Sequence, residues 1–218
     1  MLILVGLKRR GEDMGLKLRL LAAWTPTWVI SEELKKVQDV TVGALSNLLR
    51  ENGQNVDSEA IGSLEEVHKN INELRMAMAQ QQTTLVKALA EALGPSAAIE
   101  VGRETLFVVG QQLGRQSRDR LGVGSSRGDL ERAARIMYRV LGINFQLKWQ
   151  GTNEADVVVA RCALAQHYSM LTCMVLSATD EGVVNGLNPN TYMKFEKHIT
   201  DGCKTCIAKI KEERRIKQ

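Results

Sequence analysis

The sequence predicts an α+β fold, a helical N-terminal half followed by a small antiparallel sheet with a packed helix. Three observations carry that expectation. Apolar residues recur at helical spacing up to about residue 142. The run Ile143-Asn-Phe-Gln-Leu-Lys-Trp alternates strictly, as a half-buried strand does. Asp201-Gly202 lies between two strand-like runs, where a hairpin turn belongs.

Taken in order, Ser31-Glu-Glu-Leu opens a helix that runs to about Arg50 and ends at Asn52-Gly53. Asp57 or Ser58 caps the next helix. Its apolar positions Ile61, Leu64, Val67, Ile71 and Leu74 keep the period, and Gly94-Pro95 stops it after Leu93. Ser96 opens a segment reaching about Leu121. Gly102, Gly110, Gly114 and Gly122 lie along it at spacings of four or eight, with no strand before them to make a phosphate loop. Close packing against a neighbouring element explains them better. Residues 122–128 form a Gly/Ser-rich loop, and Asp129 begins a helix ending near Gly142.

After the alternating strand, Gly151-Thr-Asn-Glu turns the chain into a partner strand, Ala155-Asp-Val-Val-Val-Ala-Arg-Cys. Residues 169–186 form a helix with Met170, Cys173, Met174, Ser177 and Asp180 near one stripe, ended by Asn188-Pro189. Residues 192–200 and 203–210 close the chain as a hairpin. The expected division is a helical extension or arm over residues 1–93 and an α+β domain over residues 94–218.

Composition narrows the function classes. A hydrophobic share of 44% and a charged share of 25% are those of a globular protein, and with 4% aromatic residues the core must rely on aliphatic side chains and Met. The net charge of +4 is not gathered into a nucleic-acid footprint. Arg132, Arg135 and Arg139 share a helical face, but they and the basic C-terminal tail mix with acids and read as solvated surface. No apolar run is long enough to span a bilayer. Lys-Arg-Arg follows the apolar residues 1–6 rather than preceding them, the wrong order for a secretory signal. The expected compartment is the cytoplasm, where clustered cysteines bind metal or react more often than they form disulfides.

No cysteine precedes Cys162, and then Cys162, Cys173, Cys203 and Cys206 follow with His198 among them. Thiolates and imidazole are the ligand set of zinc and related metals, so Cys162, Cys173, His198 and Cys206 are candidate ligands for zinc, with iron or an iron–sulfur group as alternatives. Turn length decides the third thiolate. A two-residue turn at Asp201-Gly202 puts His198 on the face of Cys203, whereas a three-residue loop with Gly202 left-handed puts it on the face of Cys206. The competing reading is a set of small buried cysteines and a surface histidine.

The run Phe195-Glu-Lys-His-Ile-Thr-Asp-Gly-Cys-Lys-Thr-Cys-Ile-Ala-Lys-Ile resembles the closing motif of the vinyl-reductase-like small-molecule-binding domains. The matching positions are Glu196, His198, Gly202 and Cys206, with Cys162 and Cys173 upstream. Gly186-Leu-Asn-Pro and the glycine-then-cysteine ending also resemble the related 2-amino-thiazoline-4-carboxylate hydrolase family. Together the likeness covers about residues 93–210. The resemblance implies a mixed helix-and-sheet domain with a metal near one sheet edge, His198 standing where a cysteine is usual.

Asp180 and Glu181 are adjacent carboxylates, and Asp180 would serve a hydrolase as general base if it faces a pocket. Otherwise both are acids near a helix end. His167 and Tyr168 lie between two candidate ligands, where packing or capping is the simpler role. The Cys203-Lys-Thr-Cys206 spacing matches a redox motif but falls on a strand instead of a helix start. His68 sits on an exposed helical face without an assigned role.

Three functions remain in play. The first is a small-molecule-binding domain with a Cys3His metal site. The second is a hydrolase acting on the C–N bond of a small cyclic amidine or thiazoline carboxylate. The third is a helical scaffold or assembly protein. Its partners would be a small-molecule ligand and a second copy joined through the N-terminal helices, with neither membrane nor nucleic acid.

Overall fold

A computed structural model describes residues 12–54 and 70–213. The expected cap at Asp57 or Ser58, the apolar positions Ile61, Leu64 and Val67, and His68 lie outside the described residues. Five helices come first: α1 (Glu12–Ala23), α2 (Thr27–Glu51), α3 (Ile71–Leu93), α4 (Pro95–Leu121) and α5 (Arg127–Leu141). Strands β1 (Ile143–Gln150) and β2 (Glu154–Cys162) follow, then helix α6 (Met170–Leu187) and strands β3 (Thr191–Lys197) and β4 (Cys206–Glu212). The α+β expectation holds.

Local chemistry sets the boundaries. The Asn70 side chain caps α3 by accepting from the backbone N–H groups of Asn72 and Glu73, and Ser126 and Ser169 cap α5 and α6 in the same way. Gly94, at φ 82°, turns α3 directly into α4, and Pro95 occupies the first helical position, where its missing N–H costs nothing. Two arginines add long-range partners to helix ends that Gly142 and Thr25 already cap locally. Arg75 of α3 donates through Nε and Nη2 to the Val140 and Arg139 carbonyls at 2.9 and 2.7 Å, completing the end of α5. Arg139 in turn donates to the Leu21 and Ala22 carbonyls at the end of α1. Arg139 is therefore a clamp between helices. The expectation of solvated surface holds only for Arg132 and Arg135, which pair with Asp129 and Glu131 within their own helix.

The sheet runs β1-β2-β4-β3 with every neighbouring pair antiparallel. Its inner face sets Val157, Val159, Met193, Cys206 and Ala208 against α5 and α6, while the alternate positions meet solvent. The expected hairpin at the C-terminus is corrected in one respect. The connection between β3 and β4 is neither a two- nor a three-residue turn. It spans residues 198–205 and contains a 3-10 turn, Ile199–Asp201, that Gly202 ends at φ 78°. Glycine was needed for the left-handed backbone, as expected, but in a longer loop.

The main core lies where α2, α3, α4 and α6 meet, with Leu45, Leu49, Val86, Leu89, Leu106 and Val175 almost wholly buried. Within it, α4 and α6 cross backbone to backbone. A methyl group on Gly110 would lie 2.1 Å from the Thr179 carbonyl oxygen, and one on Gly114 would lie 2.3 Å from that of Val183. From the other side, a methyl on Gly182 or Gly186 would lie 2.1 or 2.3 Å from the Phe107 or Gln111 carbonyl oxygen. The glycine spacing in α4 thus marks close packing, as expected. Gly122 is separate, ending α4 in the left-handed conformation.

Gly110→Ala or Gly182→Ala should cost at least about 2 kcal/mol, because the obstructing atoms are backbone and cannot rotate away. Gly43→Ala in α2, where a methyl meets nothing within 4 Å, should be neutral or stabilising by about 0.5–1 kcal/mol. Denaturant unfolding of the three variants checks both statements.

Candidate functional site

Two spaces that share part of their lining flank α6. The larger, about 640 Å³, lies among α1, α2, α4, α5, α6 and the inner face of the sheet, with Leu21, Leu113, Met137, Phe145, Val183 and Leu187 among its apolar walls. The smaller, about 80 Å³, is lined by Cys162, Cys173, His198 and Cys206 together with Tyr168 and Ser177. Val37, Tyr138, Leu141, Thr179 and Asp180 line both. All five candidate residues therefore converge on one region, and Asp180 stands at its centre.

The two adjacent carboxylates have opposite fates. Glu181 is buried and satisfied: Arg103 Nη2 donates to its Oε2 at 2.6 Å, and the Phe195 backbone N–H donates to Oε1 at 3.1 Å. Arg103 also donates through Nη1 to the Met174 carbonyl and the Ser177 hydroxyl, so this one guanidinium ties α4 to α6. Asp180 receives no hydrogen bond from any described residue and is only partly buried, on the wall of both spaces. Burial first, and the charge of Glu181 second, push its carboxyl up to about 7. Tyr138, wholly enclosed beside it, is driven far above its ordinary range, by burial before the nearby Asp180 charge.

The thiols are less disposed to ionise than free cysteine. Burial raises Cys162 and Cys206, and it takes Cys173 to about 11 against the opposing effect of Thr200. Cys206 Sγ accepts from the Ile199 backbone N–H at 3.2 Å. His198 stacks on Phe195 with ring centroids 5.6 Å apart. Burial and then the Arg103 charge lower its pKa, which keeps the imidazole neutral, and its Nε2 is buried without a hydrogen-bond partner. Among the described residues no three His, Cys, Asp or Glu side chains are arranged to hold a metal ion. The Cys3His residues share a cavity, but as placed they do not form a coordination shell. Cys203 lines neither space.

A polar ladder backs the small cavity. The Tyr168 hydroxyl donates to Gln82 Oε1, Gln82 Nε2 donates to Thr41 Oγ1 at 2.8 Å, and Gln38 Nε2 donates to Gln81 Oε1. Tyr168 therefore has a wall-building role in line with the packing expectation. His167 contributes its carbonyl, which accepts from the Thr83 hydroxyl at 2.9 Å. Sequence reasoning missed Tyr138, Gln82 and Thr41. Only the burial of polar groups inside amphipathic helices could have flagged them, and that needs the packed structure.

The family model described as L-2-amino-thiazoline-4-carboxylic acid hydrolase matches residues 72–209. No curated protein is similar to the chain by sequence. Among solved structures, a trafficking protein particle complex subunit 3 from Naegleria fowleri, described as covalently bound to palmitic acid, superposes with a TM-score of 0.52. It is 13% identical, and the match covers 66% of this chain and 98% of that one, a likeness of fold alone. No described helix is long and apolar enough to cross a membrane.

The enclosed carboxyl has a consequence for stability. In the unfolded chain Asp180 ionises near pH 4, whereas in the fold it keeps its proton to about pH 7, so the native state binds the extra proton between these limits. That contribution to stability is lost as pH rises through the window. Asp180→Asn, which cannot ionise, should stabilise the protein by about 2–4 kcal/mol at pH 8 and change little at pH 4. Thermal unfolding at the two pH values reads the difference.

Proposed function

The chain belongs to the L-2-amino-thiazoline-4-carboxylic acid hydrolase family, and from that premise we propose that it hydrolyses a small molecule held in the cavity, with Asp180 as general base. One observation carries the reading: a carboxyl without a hydrogen-bond partner, on the wall of two cavities, held at a pKa of about 7. A base must be free to take a proton, and Glu181, locked to Arg103, is not.

The step suited to this geometry is addition of water to an amidine carbon. The Asp180 carboxylate removes a proton from the attacking water, the oxygen bonds to carbon, and the proton passes to the departing ring nitrogen as the C–N bond breaks. One water is consumed and the base is regenerated. Tyr138, which keeps its proton, is placed to donate a hydrogen bond inside the same enclosure.

Conversion of 2-amino-thiazoline-4-carboxylate to a product one water heavier, followed by mass spectrometry, tests the reading. The kcat/KM should rise with pH through about 7 as Asp180 ionises. Asp180→Ala should lower it by about 10²-fold or more. A turnover indifferent to that substitution would overturn the proposal.

The Cys3His site is a proposal of its own. The buried, partnerless Nε2 of His198 on a cavity that three thiols line favours it. The protonated thiols and the absence of a formed shell weigh against it. Anaerobically purified protein carrying less than stoichiometric zinc or iron would overturn it. A stoichiometric ion whose removal lowers the melting temperature would establish the site instead.

A further inference from the structure

The large cavity is bigger and more apolar than a small polar ring requires. Its volume of about 640 Å³ falls in the range of sites that enclose drug-sized ligands. Along its walls, aliphatic and aromatic side chains from five helices and the sheet leave few polar groups facing inward. Of its charged residues, Arg120 pairs with Glu33 at 2.5 Å and Glu131 with Arg135 at 2.6 Å, while on the walls built by α1 and α2 Lys17 donates to the Arg120 carbonyl at 3.4 Å and Glu32 lies beside the Arg120–Glu33 pair. The carboxyl of Asp180 has no such partner. Arg103 is engaged by Glu181, Ser177 and the Met174 carbonyl, and among the described residues the charge that shifts Asp180 is the like charge of Glu181. Facing the same space from the other elements are Tyr138 of α5, Cys162 of β2, Cys206 of β4, Tyr168 from the segment before α6, and His198, whose imidazole burial and the Arg103 charge hold toward the neutral form.

We propose that the occupant of this cavity is an apolar amine, whose protonated nitrogen pairs with the Asp180 carboxylate while its hydrocarbon body fills the space toward α1 and α5. A buried carboxylate without a partner is costly, and a ligand cation is the group that removes the cost by a charge-assisted hydrogen bond. An anionic head in the same position would set like charges together in a medium of low dielectric. The inference rests on the reading that the cavity is the ligand site with Asp180 at its floor, and an amine paired there would keep the carboxylate from acting as base, so it occupies the cavity in place of a substrate. It goes further in giving the ligand both a charge and an apolar body.

Trp28 and Trp149 line the cavity, so intrinsic fluorescence reports its occupancy. The full-length protein is titrated with decylamine, decanol and decanoate below their aggregation concentrations at pH 8. Decylamine should bind at least about tenfold more tightly than either of the others. Asp180→Asn, shown folded by its thermal transition, should bring decylamine to the level of decanol and leave decanol unchanged. Met137→Trp, which fills the apolar wall, should weaken all three. Equal or tighter binding of decanoate by the wild type, or an amine preference that survives Asp180→Asn, overturns the inference. If 2-amino-thiazoline-4-carboxylate is not turned over while the amine preference holds, the hydrolase reading falls and this one stands. If turnover depends on Asp180 while the three probes bind alike, this one falls and the hydrolase reading stands.

Discussion

The crossing of α4 and α6 is the constraint on which the rest of the molecule depends. Four glycines, two from each helix, let carbonyl oxygens of one helix rest against the α-carbons of the other. Such a contact has almost no tolerance, because backbone atoms cannot take another rotamer. It fixes the axial position and rotation of α6 together. Arg103 adds a second restraint by reaching from α4 to Met174, Ser177 and Glu181. With one side of α6 pinned, the side carrying Cys173, Ser177 and Asp180 is aimed without further help.

That aim separates two chemically identical groups one residue apart. Glu181 meets a guanidinium and a backbone N–H, and Asp180 meets an enclosed space. Their environments, not their identities, divide them into a structural anion and a group free to exchange a proton near neutrality. The same enclosure suppresses the thiols, since the burial that raises a carboxyl also raises Cys162, Cys173 and Cys206. One low-dielectric region thus brings the aspartate toward neutrality and holds the three cysteines in the thiol form.

Much of this was legible in the residues. The alternation at 143–149 became β1, the glycine spacing in α4 became the helix crossing, and the five candidate site residues lie around cavities that share part of their lining. What escaped was long-range. Arg139 looked like surface because its carbonyl partners on α1 lie 117 and 118 positions away. The loop between β3 and β4 was read too short because a left-handed glycine reports a local backbone angle and not the length of the connection around it. The large cavity has no sequence signature at all. It is the space left by side chains from α1 to β4 that never meet in the chain.

The ladder of Tyr168, Gln82 and Thr41 keeps desolvated polar groups beside the small space. Matched aliphatic replacements across it would remove the need to desolvate amides and a phenol, and such exchanges are often neutral or favourable to folding. They would also turn the wall beside the thiols and His198 into featureless hydrocarbon. A chain altered in that way should melt later, while the wall beside the small space would lose its hydrogen-bonding groups.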